Sequence, residues 1–93
     1  MKVRISRATK RILLDVNMEN YCRLVNEISR LEIPQSMLMI ENENRAIHEV
    51  EKLIKKYFPN VLENYNMFLT LEDSSFEDPK YFLTLRKKER LYR

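Results

Sequence analysis

The chain has 93 residues, of which 44% are hydrophobic, with one cysteine and no glycine. A chain of this length folds as one domain, expected here to span residues 1–93, and buries enough surface to need no disulfide or metal. A single cysteine excludes an intramolecular disulfide, and the lack of glycine excludes the P-loop and the dinucleotide-binding fingerprint. No apolar run approaches the roughly 18 residues of a membrane span, and no signal-peptide pattern follows the basic start. We therefore expect a cytoplasmic protein that does not engage membranes.

Charge is sorted by position along the chain. The net charge is only +3, yet residues 1–11 and 80–93 together hold eleven of the seventeen Lys and Arg residues and a single acid. Residues 12–79 hold the other six against thirteen Asp or Glu. Basic ends around an acidic middle indicate a polyanionic partner, because a positive surface attracts phosphate whatever the net charge of the molecule.

The first sixteen residues predict a β-hairpin. From Lys2 to Ser6, apolar and basic side chains alternate with the period of a half-buried strand. Residues 7–10 lack large apolar side chains and are typical of a turn. Alternation resumes from Arg11 to Val16, although Leu13 interrupts it and a short helix is the alternative.

Two amphipathic helices follow. From Met18 to Leu31 the apolar residues fall at helical spacing, with Asn17 placed to cap the first turn. A second helix is predicted from about Glu43 to Phe58, where a proline ends it. Residues 36–41 lie between the two and are too short an apolar run to assign to strand or helix.

A repeated tetrapeptide predicts a hairpin near the C-terminus. Phe68–Leu71 recurs as Phe82–Leu85, each copy alternating, with a polar loop over 72–79 between them. The remaining residues, 89–93, are expected to form a flexible basic tail. Together these elements predict an α+β fold, an antiparallel sheet with two amphipathic helices packed on one face and a basic, open opposite face.

The order helix, turn, helix, hairpin over residues 18–88 resembles that of a winged helix, which gives an alternative fold. The resemblance implies a helix-turn-helix whose second helix enters the major groove of DNA while the C-terminal β-hairpin touches the backbone. In the fold with two helices on one face of a sheet, an exposed sheet edge would allow a second copy to pair, so a homodimer is a further expectation.

Catalysis is not indicated by the sequence. His48 is the only histidine and is better explained as a helix surface residue, and Cys22 as a small hydrophobe than as a nucleophile. The neighbouring acids lack the spacing of a calcium loop. We expect a protein that is not an enzyme and carries no cofactor or metal.

The function predicted is that of a small nucleic-acid-binding protein, duplex DNA being favoured over RNA, acting as a regulator or accessory factor. Phe82, and Phe68 on the partner strand, could add a stacking platform for unpaired bases. The alternative is a protein-binding inhibitor or adaptor, of the kind phages, plasmids and other mobile elements encode, that uses the acidic middle and binds an acidic or basic protein partner. The predicted phosphate contacts are Lys2, Arg4, Arg7, Lys10, Arg11, Lys80, Arg86, Lys87, Lys88 and Arg90, and the candidate base contacts are Asn42, Asn44, Arg45 and His48.

Overall fold

A computed structural model describes residues 2–32, 39–73 and 79–89 of the chain. Helices and one small sheet make up this part of the molecule, so the α+β class is confirmed. The elements in chain order are β1 (Lys2–Ile5), α1 (Arg7–Val16), α2 (Met18–Ser29), α3 (Met39–Tyr57), α4 (Val61–Asn64), β2 (Tyr65–Asp73) and β3 (Lys80–Lys87).

The sheet is mixed, which corrects the expectation of an antiparallel one. Its three strands lie in the order β1, β3, β2. The predicted C-terminal hairpin is confirmed, with β2 antiparallel to β3 and Leu69 opposite Leu83, but β1 runs parallel to β3. The reason is connectivity: the chain leaves β1 through helices and reaches β3 only after β2, so no short turn reverses it against β1.

The predicted second strand is a helix, so the N-terminal hairpin is wrong and the alternative for residues 11–16 is right. Ser6 caps α1, because its Oγ accepts a hydrogen bond from the Thr9 N–H. Leu13, the residue that interrupts the alternation, is fully buried one helical turn after the buried Thr9. Val16, on the face expected to be buried in a strand, is 59% exposed.

Thr9 fastens α1 to the central strand. Where β1 ends, the Ser6 N–H donates to the Leu83 carbonyl at 3.0 Å. The next N–H on the edge of β3 that faces β1 belongs to Leu85. That N–H donates to Thr9 Oγ1 at 2.8 Å, and the Ser6 hydroxyl donates to the same oxygen at 2.6 Å. A threonine hydroxyl thus extends the ladder past the end of β1, which leaves the buried Leu85 amide satisfied.

Both predicted amphipathic helices are present with shifted ends. Asn17 caps α2 as expected, its side-chain oxygen accepting from the Asn20 N–H at 3.0 Å, and α2 ends at Ser29 rather than Leu31. The third helix starts at Met39, so the last part of segment 36–41 is helical while residues 36–38 lie outside the described residues. Of the predicted tail 89–93, only Glu89 is described.

The helices pack on one face of the sheet and enclose a single core. Leu83 on the central strand is fully buried, as are Leu24 of α2 and Val50 and Ile54 of α3. Because α1 is also a helix, three long helices rather than two cover this face. In the described part of the chain no helix is both long and apolar enough to cross a membrane. The rest of the buried apolar cluster consists of Leu13, Ile28, Ala46, Phe58, Val61, Leu69, Tyr81 and Leu85.

Candidate nucleic-acid interface

The sheet face turned away from the helices, called here the open face, is both basic and aromatic. Strand alternation sends every second residue outward, and the pairing registers place these residues side by side. The helices of the described residues pack on the opposite face, and the outward side chains are exposed or half-buried. The open face is formed by Lys2 and Arg4 of β1, Lys80, Phe82, Thr84 and Arg86 of β3, and Asn66, Phe68 and Thr70 of β2. Glu72, which has no partner in the register because it lies at the bulge of β2, joins this face through its contact with Arg4.

The first and last strands of the chain are neighbours, as the sequence interpretation required. Lys2 lies opposite Lys80 and Arg4 lies opposite Phe82 in the parallel pair. Arg86 is six residues beyond Lys80 on the same side of β3, roughly 20 Å away at the rise of a strand. Cationic side chains from both ends of the chain therefore share one surface.

Arg4 lies across the face of an aromatic ring and contacts an acid beyond it. Its guanidinium carbon is 4.9 Å from the centre of the Phe82 ring, and its Nη2 is 2.8 Å from Oε1 of Glu72. The arginine side chain is 71% exposed. An ion pair this exposed contributes only about 0–1 kcal/mol to stability, so the contact is easily exchanged for another anion.

A second arginine covers a second ring. The guanidinium carbon of Arg86 lies 5.6 Å from the centre of the Phe68 ring, and the Phe68 side chain remains 46% exposed. Exposed cation–π contacts of this type contribute about 0.5–1 kcal/mol. The open face thus has two aromatic rings, each with an arginine above it.

The other predicted phosphate contacts lie apart from the open face or at its end. Arg7, Lys10 and Arg11 are exposed on α1 beyond the end of β1. Lys87 ends β3 and alternates to the side opposite Arg86, and the following Lys88 donates its N–H to the Asn64 carbonyl at 2.9 Å. Both of these lysines are exposed. Arg90 lies outside the described residues.

The candidate base contacts are on the other side of the molecule. Asn42 is only 7% exposed, which is not the environment of a side chain that reads base edges. Asn44, Arg45 and His48 are exposed on α3. Since the buried stripe of α3 faces the sheet, these three lie on its far side, behind the helical layer. The structure therefore does not unite them with the open face.

The helix surface that the alternative function would use is partly neutralised. Glu51 pairs with Lys55 at 2.9 Å, and Glu49 approaches Lys52 at 3.9 Å. Each of these acids therefore has a lysine of the same helix beside it, which lowers the negative potential that a partner would meet there.

Strand β1 lies at an edge of the sheet, where a second copy could pair to form the predicted homodimer. A groove of about 720 Å³, lined partly by Val25 and Ile28 of α2, runs beside it. Antiparallel pairing of two β1 strands through this edge would place Arg4 opposite either Arg4 or Lys2 of the second copy, because facing residues must point to the same side. Like charges directly opposite each other are destabilising, so the charges of β1 do not favour pairing of two copies.

Glu72 belongs to the open face but was missed in the sequence interpretation. The tetrapeptide repeat predicted β2 over residues 68–71 only, whereas the strand runs from Tyr65 to Asp73 with a bulge after Leu71. Continuing the even-numbered alternation from Phe68 would have pointed to it. Among the described residues no group of three His, Cys, Asp or Glu side chains could hold a metal ion.

Comparisons with protein-family models, with curated proteins and with solved structures find no match to this chain. The interpretation of the open face therefore depends on its own geometry and chemistry.

Proposed function

We propose that this protein binds nucleic acid through the open face and acts as a non-enzymatic regulator or accessory factor. The observation that supports this is the parallel pairing of β1 with β3, which puts Lys2 beside Lys80 on a sheet face that no described helix covers. Arg4 and Arg86 lie on the same face above aromatic rings. Four cationic side chains on one face suit a phosphate backbone, and rings suit bases.

The number of cations on the open face sets the expected salt dependence. Contact between four cationic side chains and four phosphates releases the counterions of those phosphates, so the logarithm of the binding constant falls with the logarithm of salt concentration with a slope of about −3 to −4. A steeper slope would indicate that Lys87, Lys88 or the cations of α1 also contact the strand.

Fluorescence anisotropy with labelled oligonucleotides, duplex and single-stranded, between 50 and 200 mM salt tests this proposal. The variant Lys2→Gln/Lys80→Gln/Arg86→Gln removes three charges from the open face, and we expect it to flatten the slope by roughly 2 to 3. The control Arg23→Gln/Lys52→Gln/Lys55→Gln removes the same charge from α2 and α3 and should keep the slope of the unmodified protein.

Two results would overturn the proposal. The first is the absence of binding to any oligonucleotide at 50 mM salt. The second is an equal loss of binding in the control variant, since that would show a response to net charge rather than to the open face. A third variant, Arg7→Gln/Lys10→Gln/Arg11→Gln, determines whether the interface continues onto α1.

A further inference from the structure

We infer that the open face selects an unpaired strand over a duplex, with one base stacked on Phe82 and one on Phe68. This inference rests on the proposed function and departs from the preference for duplex DNA drawn from the sequence. In the bound state the guanidinium groups of Arg4 and Arg86 leave the rings and contact the phosphates on either side.

The spacing of the two rings favours a splayed strand. Phe82 is opposite Thr70 and Phe68 is opposite Thr84, so the two phenylalanines are diagonal neighbours on adjacent strands. Diagonal neighbours on one sheet face lie about 7–8 Å apart. Successive bases within a duplex strand are only about 3.4 Å apart. A strand that puts two successive bases on these rings must therefore be unstacked and extended.

The shape of the face also disfavours a duplex. The major groove is about 12 Å wide and admits a two-stranded ribbon. Three strands already span about 10 Å between the axes of the outer two, before side chains are added, and α1 continues from the end of β1. A duplex would thus meet the face through its phosphates alone, and its paired bases would not reach either ring.

The two arginines cover the rings in the free protein and can give way to bases. Each guanidinium lies over a ring that would otherwise face water, at 4.9 Å for Arg4 and 5.6 Å for Arg86. Guanidinium is weakly hydrated and stacks on aromatic faces, yet it binds phosphate through a planar fork of donors. When the arginine leaves the ring and binds a phosphate, it therefore still has a favourable contact. A base then stacks on the ring in place of the guanidinium.

Glu72 competes with the strand for Arg4. Its carboxylate holds the guanidinium at 2.8 Å, and both side chains are accessible to solvent. A phosphate must displace this carboxylate. The variant Glu72→Gln should therefore bind the strand more tightly than the unmodified protein, by up to about fivefold, the range of an exposed ion pair.

The test compares three probes by anisotropy at 100 mM salt: a 12-nucleotide oligothymidine, a 12-base-pair duplex and a 12-nucleotide strand with abasic positions. The oligothymidine is also titrated with the variant E72Q. The variants Phe68→Leu and Phe82→Leu keep an apolar side chain but remove the ring, and circular dichroism verifies that they fold. Each should weaken binding to oligothymidine by roughly 5- to 150-fold, the range for loss of one stacked base. Neither should alter binding to the duplex or to the abasic strand.

The outcomes separate this inference from the proposed function. Binding of the duplex as tightly as oligothymidine, or equal binding of the abasic strand and oligothymidine, would overturn the inference and leave phosphate binding by the face in place. Unchanged binding in both leucine variants would overturn it too. No binding of any probe at 50 mM salt would overturn the proposed function itself.

Discussion

Replacement of Thr9 by Val tests how α1 is attached to the sheet. Valine keeps the size and branching of threonine but removes the oxygen that accepts from the Leu85 N–H and from the Ser6 hydroxyl. Thr9 is fully buried and Leu85 is 4% exposed, so water cannot replace the lost acceptor. An unsatisfied buried donor costs about 1–3 kcal/mol, and we expect Thr9→Val to lower the free energy of unfolding by that amount.

Urea denaturation followed by circular dichroism measures this loss, and a thermal melt should show a fall in Tm of about 4–8 °C per kcal/mol. The control is Thr70→Val, the same exchange at an exposed position of the open face, for which we expect a change within about 0.5 kcal/mol. If Thr9→Val is as stable as Thr70→Val, the hydroxyl does not support the end of the β1 ladder and the reasoning is refuted.

Three further predictions concern the core, the cap between helices and the link between α2 and α3. Leu83→Ala, at a fully buried position of the central strand, should cost about 2–5 kcal/mol in urea denaturation, and a loss below 1 kcal/mol would contradict the description of the core. Asn17→Ala should cost about 0.5–2 kcal/mol by the same assay, because the Asn17 side chain caps α2; an unchanged midpoint would contradict this role. The pKa of Glu27 lies below its ordinary value of 4.5, chiefly because it accepts a hydrogen bond from the Tyr57 hydroxyl and also from Lys56. Its stabilising effect should therefore be full above pH 4.5 and disappear as the pH falls through the lowered pKa, so unfolding curves of Glu27→Gln and the unmodified protein should converge in acid, and a constant difference would count against the link.

The sequence predicted correctly those helices and strands for which two local signals agree. Helical spacing with a cap at Asn17 located α2, and a repeated alternating tetrapeptide located the hairpin of β2 and β3. The prediction for the segment from Arg11 to Val16 failed because its apolar residues suit both periods, and one of the contacts that hold the helix in place is distant in sequence. Thr9 meets Leu85, 76 residues later in the chain, and no local pattern encodes that hydrogen bond.

The candidate site was predicted in part, and for a related reason. The outward positions of Lys2, Arg4, Lys80, Phe82 and Arg86 follow from strand alternation. These side chains lie close together because the strands at the two ends of the chain pair in parallel. From the sequence it was only a hypothesis that these strands are neighbours, and the sheet was expected to be antiparallel. Contacts made by single side chains, such as that of Arg4 with Glu72, depend on register and are beyond the reach of composition and periodicity.

The position of β3 has a consequence for how the molecule is made. The last strand of the described residues, β3, is the middle strand of the sheet, and both neighbours form hydrogen bonds with it rather than with each other. During synthesis, β1 and β2 therefore have no partner in this sheet until β3 has left the ribosome. The sheet then closes between residues separated by nearly the full length of the chain, a slow step compared with forming the helices. Truncation before Lys80 would leave two unpaired strands and an uncovered apolar helical layer.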